Sequence, residues 1–145
     1  MPIRWAIDLG TTNSVVAAEQ DGSVRAVTLP ELGRTLPVEQ SPLIPSALHV
    51  YDTLEGWWIF RRRRRHALAG QLALSRNFDG RSPAFAQSFK RPLATQPHRP
   101  MLRVGDRDTL SAREVTRLFL GEILKALREQ FHEKPVDLTI PAPVG

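Results

Sequence analysis

Asp8-Leu9-Gly10-Thr11-Thr12-Asn13-Ser14 gathers a carboxylate, a glycine, three hydroxyls and a side-chain amide within one short string. Glycine in a tight turn tolerates positive φ and close backbone approach, so consecutive N–H groups can point into one concavity and cradle phosphate oxygens. One aspartate beside such a nest is adequate for magnesium, which keeps several waters and is held by one or two carboxylates plus substrate phosphates. Gly10, Thr11, Thr12 and Asn13 are therefore the candidate phosphate-binding residues, and Asp8 is the candidate metal ligand. The same residues also suit an ordinary hairpin, in which Gly-Thr-Thr supplies turn geometry and Asp8 caps backbone amides.

The elements around the string follow from pattern. Ile3 to Leu9 and Ser14 to Ala18 are rich in β formers, and they predict a hairpin closed by the turn between them. Asp21-Gly22 is a two-residue turn signal, and Val24 to Leu29 then alternates as a third antiparallel strand. Residues 30–45 carry four prolines and a glycine and read as a connecting loop, followed by a short strand over Ser46 to Tyr51. Trp57 to Phe60 is assigned as a strand, and the arginine block Arg61 to Arg65 to a helix running through His66 to Leu74. Asn77 to Pro83 is a turn-rich loop, and Leu102 to Val104 pairs with Thr109 and Leu110 across Gly105-Asp106.

Ser111-Ala112-Arg113-Glu114 is a capping box, so a helix starts there. Val115, Leu118, Phe119, Glu122, Ile123 and Ala126 then recur at spacings of three and four, with Leu120, Leu124, Leu127 and Phe131 widening the stripe that packs on a sheet. Pro135 ends this helix and Val136 to Ile140 is the next strand. The fold class is α/β, with a mixed sheet and an antiparallel N-terminal hairpin.

Composition narrows the chemistry. The chain has 145 residues, enough for one domain with a real core. It has no cysteine, which excludes thiol nucleophiles, disulfide scaffolds and thiolate metal sites. Met1 to Trp5 leads into no apolar signal segment and no long apolar run follows, so the expectation is a non-secreted, non-spanning, cytoplasmic protein. The net charge of +5 is matched by the five arginines of one block, Arg61 to Arg65, which gives only weak support for a nucleic-acid partner. On a helix those arginines would point to all sides, as a solvated surface does. The four histidines, His49, His66, His98 and His132, are dispersed and propose no zinc site.

Taken as a string, DLGTTNS resembles the first phosphate-binding motif of the actin-like ATPase superfamily, and most closely that of the Hsp70 chaperones. Ser41 to Leu48 is similar to that family's loop and strand after the opening meander, where a Pro-Ser pair precedes an apolar strand. Ser88-Phe89-Lys90-Arg91 resembles the segment that delivers a catalytic lysine to the γ-phosphate, and VDLTIPA resembles the family's "VTVPA" strand.

The resemblance implies the first lobe of an actin-like (ribonuclease H-like) ATPase, binding Mg-ATP. It gives the backbone around Gly10, Thr11, Thr12 and Asn13 to the β- and γ-phosphates, with the Thr11 hydroxyl assisting. Asp8 would hold Mg2+ through its water shell, and Lys90 would position the attacking water and offset the charge on the transferred phosphoryl group. Unfolded clients and co-chaperones are implied as partners of a complete relative, and no membrane partner is implied.

Three departures accompany it. The interval from Asp8 to Lys90 is longer than in the family and that from Lys90 to the capped helix is shorter, which implies a remodelled outer subdomain over about 52–110. Pro92 stands where the family has an aliphatic residue. The opposing lobe, with the second phosphate motif and the adenosine pocket, is not present in 1–145, so the expectation is a truncated product with negligible turnover alone. Two alternatives stay open: a sugar-kinase-like member of the superfamily, and a non-catalytic basic interaction module using Arg61 to Arg65.

Overall fold

The computed structural model describes residues 2–34, 41–132 and 137–140. The chain is a mixed α/β structure with three sheets and three α-helices among the described residues. None of these helices is long and apolar enough to cross a membrane.

The opening meander forms as the sequence predicts. Strands β1 (Arg4–Asp8), β2 (Asn13–Gln20) and β3 (Ser23–Val27) pair antiparallel in order. Asp21 and Gly22 both adopt positive φ, 53° and 75°, as a two-residue hairpin turn of the right twist requires. Alternation decides the faces: Trp5 and Ile7 are buried, whereas Arg4 and Asp8 are exposed. The two-residue strand β4 (Ile44–Pro45) pairs with the start of β2, and β10 (Asp137–Thr139) pairs parallel with β1. Pro135, Val136 and the stretch from Pro141 onward lie outside the described residues.

A second sheet has the order β6-β5-β7, from β5 (Ala47–Glu55), β6 (Arg62–Ala69) and β7 (Phe85–Gln87). Here the sequence reading needs correction. Arg61 to Leu74 is not a helix: Arg62–Ala69 is a strand paired antiparallel with Glu55 to Leu48, and the helix α1 is confined to Gln71–Arg76. Trp57 to Phe60 is not a strand but the tip of this hairpin, with a 3-10 turn over Trp58–Phe60. Arginine is a good helix former, which favoured the wrong assignment, but tertiary partners override propensity. Arg65 binds both oxygens of Asp52 at 2.9 and 3.1 Å, Arg64 meets Glu55 at 3.2 Å, and Arg65 also reaches Asp108 at 2.8 Å. These bonds hold the carboxyls of Asp52 and Asp108 below the usual carboxylate range, chiefly through hydrogen bonds from Arg65. Arg63 joins the Asp52/Asp108 side of the strand while Arg64 and His66 serve the other, so the block alternates instead of radiating.

Strands β8 (Pro100–Val104) and β9 (Asp108–Ser111) form the expected small hairpin. The capping box is present: the Ser111 hydroxyl accepts from the Glu114 amide at 3.3 Å, and the Ser111 amide donates to the Glu114 carboxylate at 2.8 Å. It starts α3 (Ala112–Phe131), which buries Val115, Thr116, Phe119, Ile123 and Leu127 against β5, β6 and the β8–β9 hairpin. Leu127 rather than Ala126 completes the buried stripe. Phe131, in the last turn, meets Trp5 with ring centroids 6.1 Å apart, so one helix ties the second sheet to β1.

Candidate phosphate site

The turn over Gly10, Thr11 and Thr12 links β1 to β2, and its shape is set from outside. Ser46, 2% exposed, lies between β4 and β5 and donates its hydroxyl to the Gly10 carbonyl at 2.7 Å. Its amide donates to the Thr12 carbonyl at 2.9 Å. Its oxygen lies 2.9 Å from the hydroxyl of Ser14, which is fully buried. Because the single Ser46 proton goes to Gly10, Ser14 is the donor of that pair.

These bonds have a geometric consequence. In a trans peptide the C=O and N–H point in opposite directions, and the described residues contain no cis bond. Drawing the Gly10 carbonyl toward Ser46 therefore aims the Thr11 amide away from it. None of the amides of Gly10, Thr11 and Thr12 has a protein acceptor among the described residues, and Thr11 and Thr12 are exposed. Consecutive N–H groups without protein acceptors are one requirement of an anion-binding nest. The positive φ expected of the glycine is not adopted: no residue from Gly10 to Asn13 has one, so the turn keeps the close backbone approach and not the left-handed bend. A Cβ on Gly10 would fall well inside contact with the Asn13 carbonyl oxygen, so only glycine fits that corner. Asn13 contributes a sealed side-chain oxygen with no partner among the described residues.

Asp8 ends β1 opposite Val15, exposed on the outward face two residues before the glycine. No cluster of three or more histidine and carboxylate side chains occurs among the described residues. Asp8 is the one metal-ligating side chain of the turn; a magnesium ion there would take its remaining oxygens from water and from a phosphate, since the free amides can hold phosphate but not the ion.

Lys90 lies far off in sequence but is tied to the same residue. Strand β7 pairs with β5, and the Ser88 amide donates to the Ser46 carbonyl at 3.1 Å. Ser88 takes a left-handed φ of 55°, and Phe89 follows, wholly buried edge-to-face on Phe119 at 5.1 Å. Lys90 then opens the six-residue helix α2 (Lys90–Thr95), half-buried and with no carboxylate within 4.0 Å among the described residues. Pro92 falls in the first turn of α2, where an N–H has no helical acceptor, so the departure noted in sequence is sterically harmless.

A cavity of about 100 Å³ opens between Thr12 and the Gln87-Ser88 segment, with Arg34 and Ser46 in its wall. Of the predicted site residues only Thr12 lines it, so this cavity does not bring Asp8, Gly10, Thr11, Asn13 and Lys90 together. Larger hollows lie elsewhere: one of about 420 Å³ beside Leu32 and α3 presents Glu31, Glu122 and Glu129 with Lys125, and one of about 760 Å³ between β5 and the β8–β9 hairpin presents Arg63, Arg103 and Arg107 with Asp52, Asp106 and Asp108. Ser14, Ser46 and Arg34 were not singled out as site residues from sequence. A buried serine has no local signature that separates it from a solvated one, and only the Pro-Ser pair marked the place.

His49 and His66 both lie against Tyr51, with ring centroids 6.3 and 5.0 Å away. His66 stacks on Tyr51 at 5.0 Å and shares a hydrogen bond with Thr53. His49 is buried, and burial followed by the nearby Arg76 charge holds its pKa below the ordinary histidine value. No protein-family model matches this chain, and none of the curated proteins matches it.

Proposed function

We propose that the chain is the first lobe of an actin-like ATPase of the Hsp70 type and that it receives the phosphates of Mg-ATP at the Gly10 to Asn13 turn. The observation that supports this reading best is the position of Ser46. One buried residue turns the Gly10 and Thr12 carbonyls inward and takes the amide of Ser88, two residues before Lys90. The Gly10–Thr12 turn and the segment that leads to Lys90, both drawn from one family resemblance, thus share a single anchor.

In this reading the amides of Gly10, Thr11 and Thr12 donate to β- and γ-phosphate oxygens, and the backbone at Asn13 and the Thr11 hydroxyl complete the cradle. Asp8 holds Mg2+ through its water shell, and the ion offsets phosphate charge when bound. Lys90 orients water for in-line attack on the γ-phosphorus, with ADP as the leaving group, and its charge is worth most as negative charge shifts in the transition state. Grip on adenosine falls to an opposing lobe, so this chain alone should bind Mg-nucleotide weakly, with negligible hydrolysis. In a complete ATPase the cycle would serve protein folding.

Calorimetric titration with Mg-ATP tests it. Binding that Asp8→Ala weakens about tenfold, and that Lys90→Ala leaves nearly unchanged, is expected. Absence of Mg-dependent nucleotide binding, or robust turnover by the 145 residues, refutes the reading.

A further inference from the structure

We propose that the tip of the β5–β6 hairpin is a membrane-docking element that inserts Trp57, Trp58, Ile59 and Phe60 into the headgroup region of an anionic lipid surface. These four consecutive side chains are 77 to 85% exposed, and Leu54 just below them is 68% exposed. Gly56, at φ 111°, and Trp58, at φ 56°, bend the backbone so that the apolar residues form a convex apex, not a stripe on the sheet. A run of large apolar groups held in water at a projecting tip marks an interaction site.

The basic residues beneath decide the occupant. Arg63 and Arg65 are folded back onto Asp52 and Asp108, away from the tip. Arg61 and Arg62 have no carboxylate partner among the described residues, and Arg64 shares only Glu55, which His66 also approaches at 3.6 Å. The tip therefore carries an apolar apex above a collar of three arginines against one glutamate. Tryptophan and arginine are the residues that seat at the headgroup level, rings among the upper acyl chains and guanidinium groups on the phosphates. Each arginine near an anionic leaflet contributes about fivefold in partition. Single-stranded nucleic acid is less well served, because stacking needs open ring faces in series. Trp57 and Trp58 instead meet edge-on at 69°, and Ile59 has no ring.

The reading of the arginine block as a solvated helix left no membrane partner; the hairpin supplies one. Strand rise puts the tip about 30 Å from Ser46, at the far end of β5 from the phosphate turn. The two sites are thus separable.

The test uses the intact chain with sedimenting vesicles of phosphatidylcholine and phosphatidylglycerol at 3:1, against vesicles of phosphatidylcholine alone. Trp5 is buried, so a blue shift in emission reports Trp57 and Trp58. Expected are co-sedimentation with the 3:1 vesicles and a blue shift, at least tenfold weaker on neutral vesicles. The triple variants W57S/W58S/F60S and R61Q/R62Q/R64Q should each lose tenfold or more, with unchanged unfolding midpoints because every altered side chain is exposed. No partition onto the 3:1 vesicles overturns the proposal. So does undiminished partition by either variant, or displacement of the protein from vesicles by a single-stranded oligonucleotide. Nucleotide titration of the tip variant reports on the other site, so failure of one proposal is distinguishable from failure of the other.

Discussion

Replacing Ser46 with alanine removes one oxygen and leaves every backbone bond of residue 46 in place. The Gly10 carbonyl loses its 2.7 Å donor and the buried Ser14 hydroxyl loses the acceptor 2.9 Å away. The fully buried Ser14 hydroxyl left unpaired costs about 1–3 kcal/mol and the half-buried Gly10 carbonyl about 1 kcal/mol, so the two together should cost about 2–4 kcal/mol, or roughly 10 °C in unfolding midpoint. The peptide between Gly10 and Thr11 is then free to rotate, and the Thr11 amide is no longer aimed at the phosphate. A hydrogen bond to a charged group contributes about 1.5–3 kcal/mol, so affinity for Mg-ATP should fall about tenfold or more. Denaturant unfolding measures the first quantity, and titration well below the unfolding transition measures the second. Ser14→Ala/Ser46→Ala should be less destabilising than the sum of the single variants by about 1 kcal/mol, because removing both partners leaves only Gly10 unsatisfied. A Ser46→Ala protein that loses stability but binds Mg-ATP like the parent would refute the claim that this serine shapes the nest.

Gly10→Ala forces a methyl group into the Asn13 carbonyl oxygen; it should abolish nucleotide binding and lower the unfolding midpoint, and a protein that still binds would show the turn to be irrelevant. Phe89→Ala empties a fully buried position packed on Phe119 and should cost about 3–5 kcal/mol by denaturant unfolding, loosening the segment that presents Lys90. Glu122, half-buried on α3, has its pKa raised, first by burial and then by Glu129, with Lys125 opposing. A raised folded pKa stabilises the fold below the ordinary carboxylate value and loses that contribution as pH climbs through the raised value. Glu122→Gln should therefore gain stability over the parent at pH 7 and lose the advantage near pH 4; a gap that does not change with pH would contradict this.

The tight turn after β1, the meander and the capped helix were legible because their determinants are local. Asp21-Gly22 and the Ser111/Glu114 pair act over two or three residues, and helical spacing gives most of the buried stripe of α3, Val115, Phe119 and Ile123, though not its last member. The arginine block was misread for the opposite reason. Its acidic partners are Asp52, Glu55 and Asp108, the last separated by more than 40 residues from Arg65, and nothing in RRRRR itself names them.

The sequence by itself placed an aspartate, a glycine and hydroxyls, residue types that suit phosphate chemistry, in one short turn, and a lysine after a phenylalanine. Only the tertiary structure decided that the turn's carbonyls face inward, that Ser46 joins it to the lysine segment, and that aromatics and arginines crown a hairpin. Residue type and short spacing set local conformation, whereas the direction of an N–H and the surroundings of a charge depend on groups that only chain folding brings within hydrogen-bond reach.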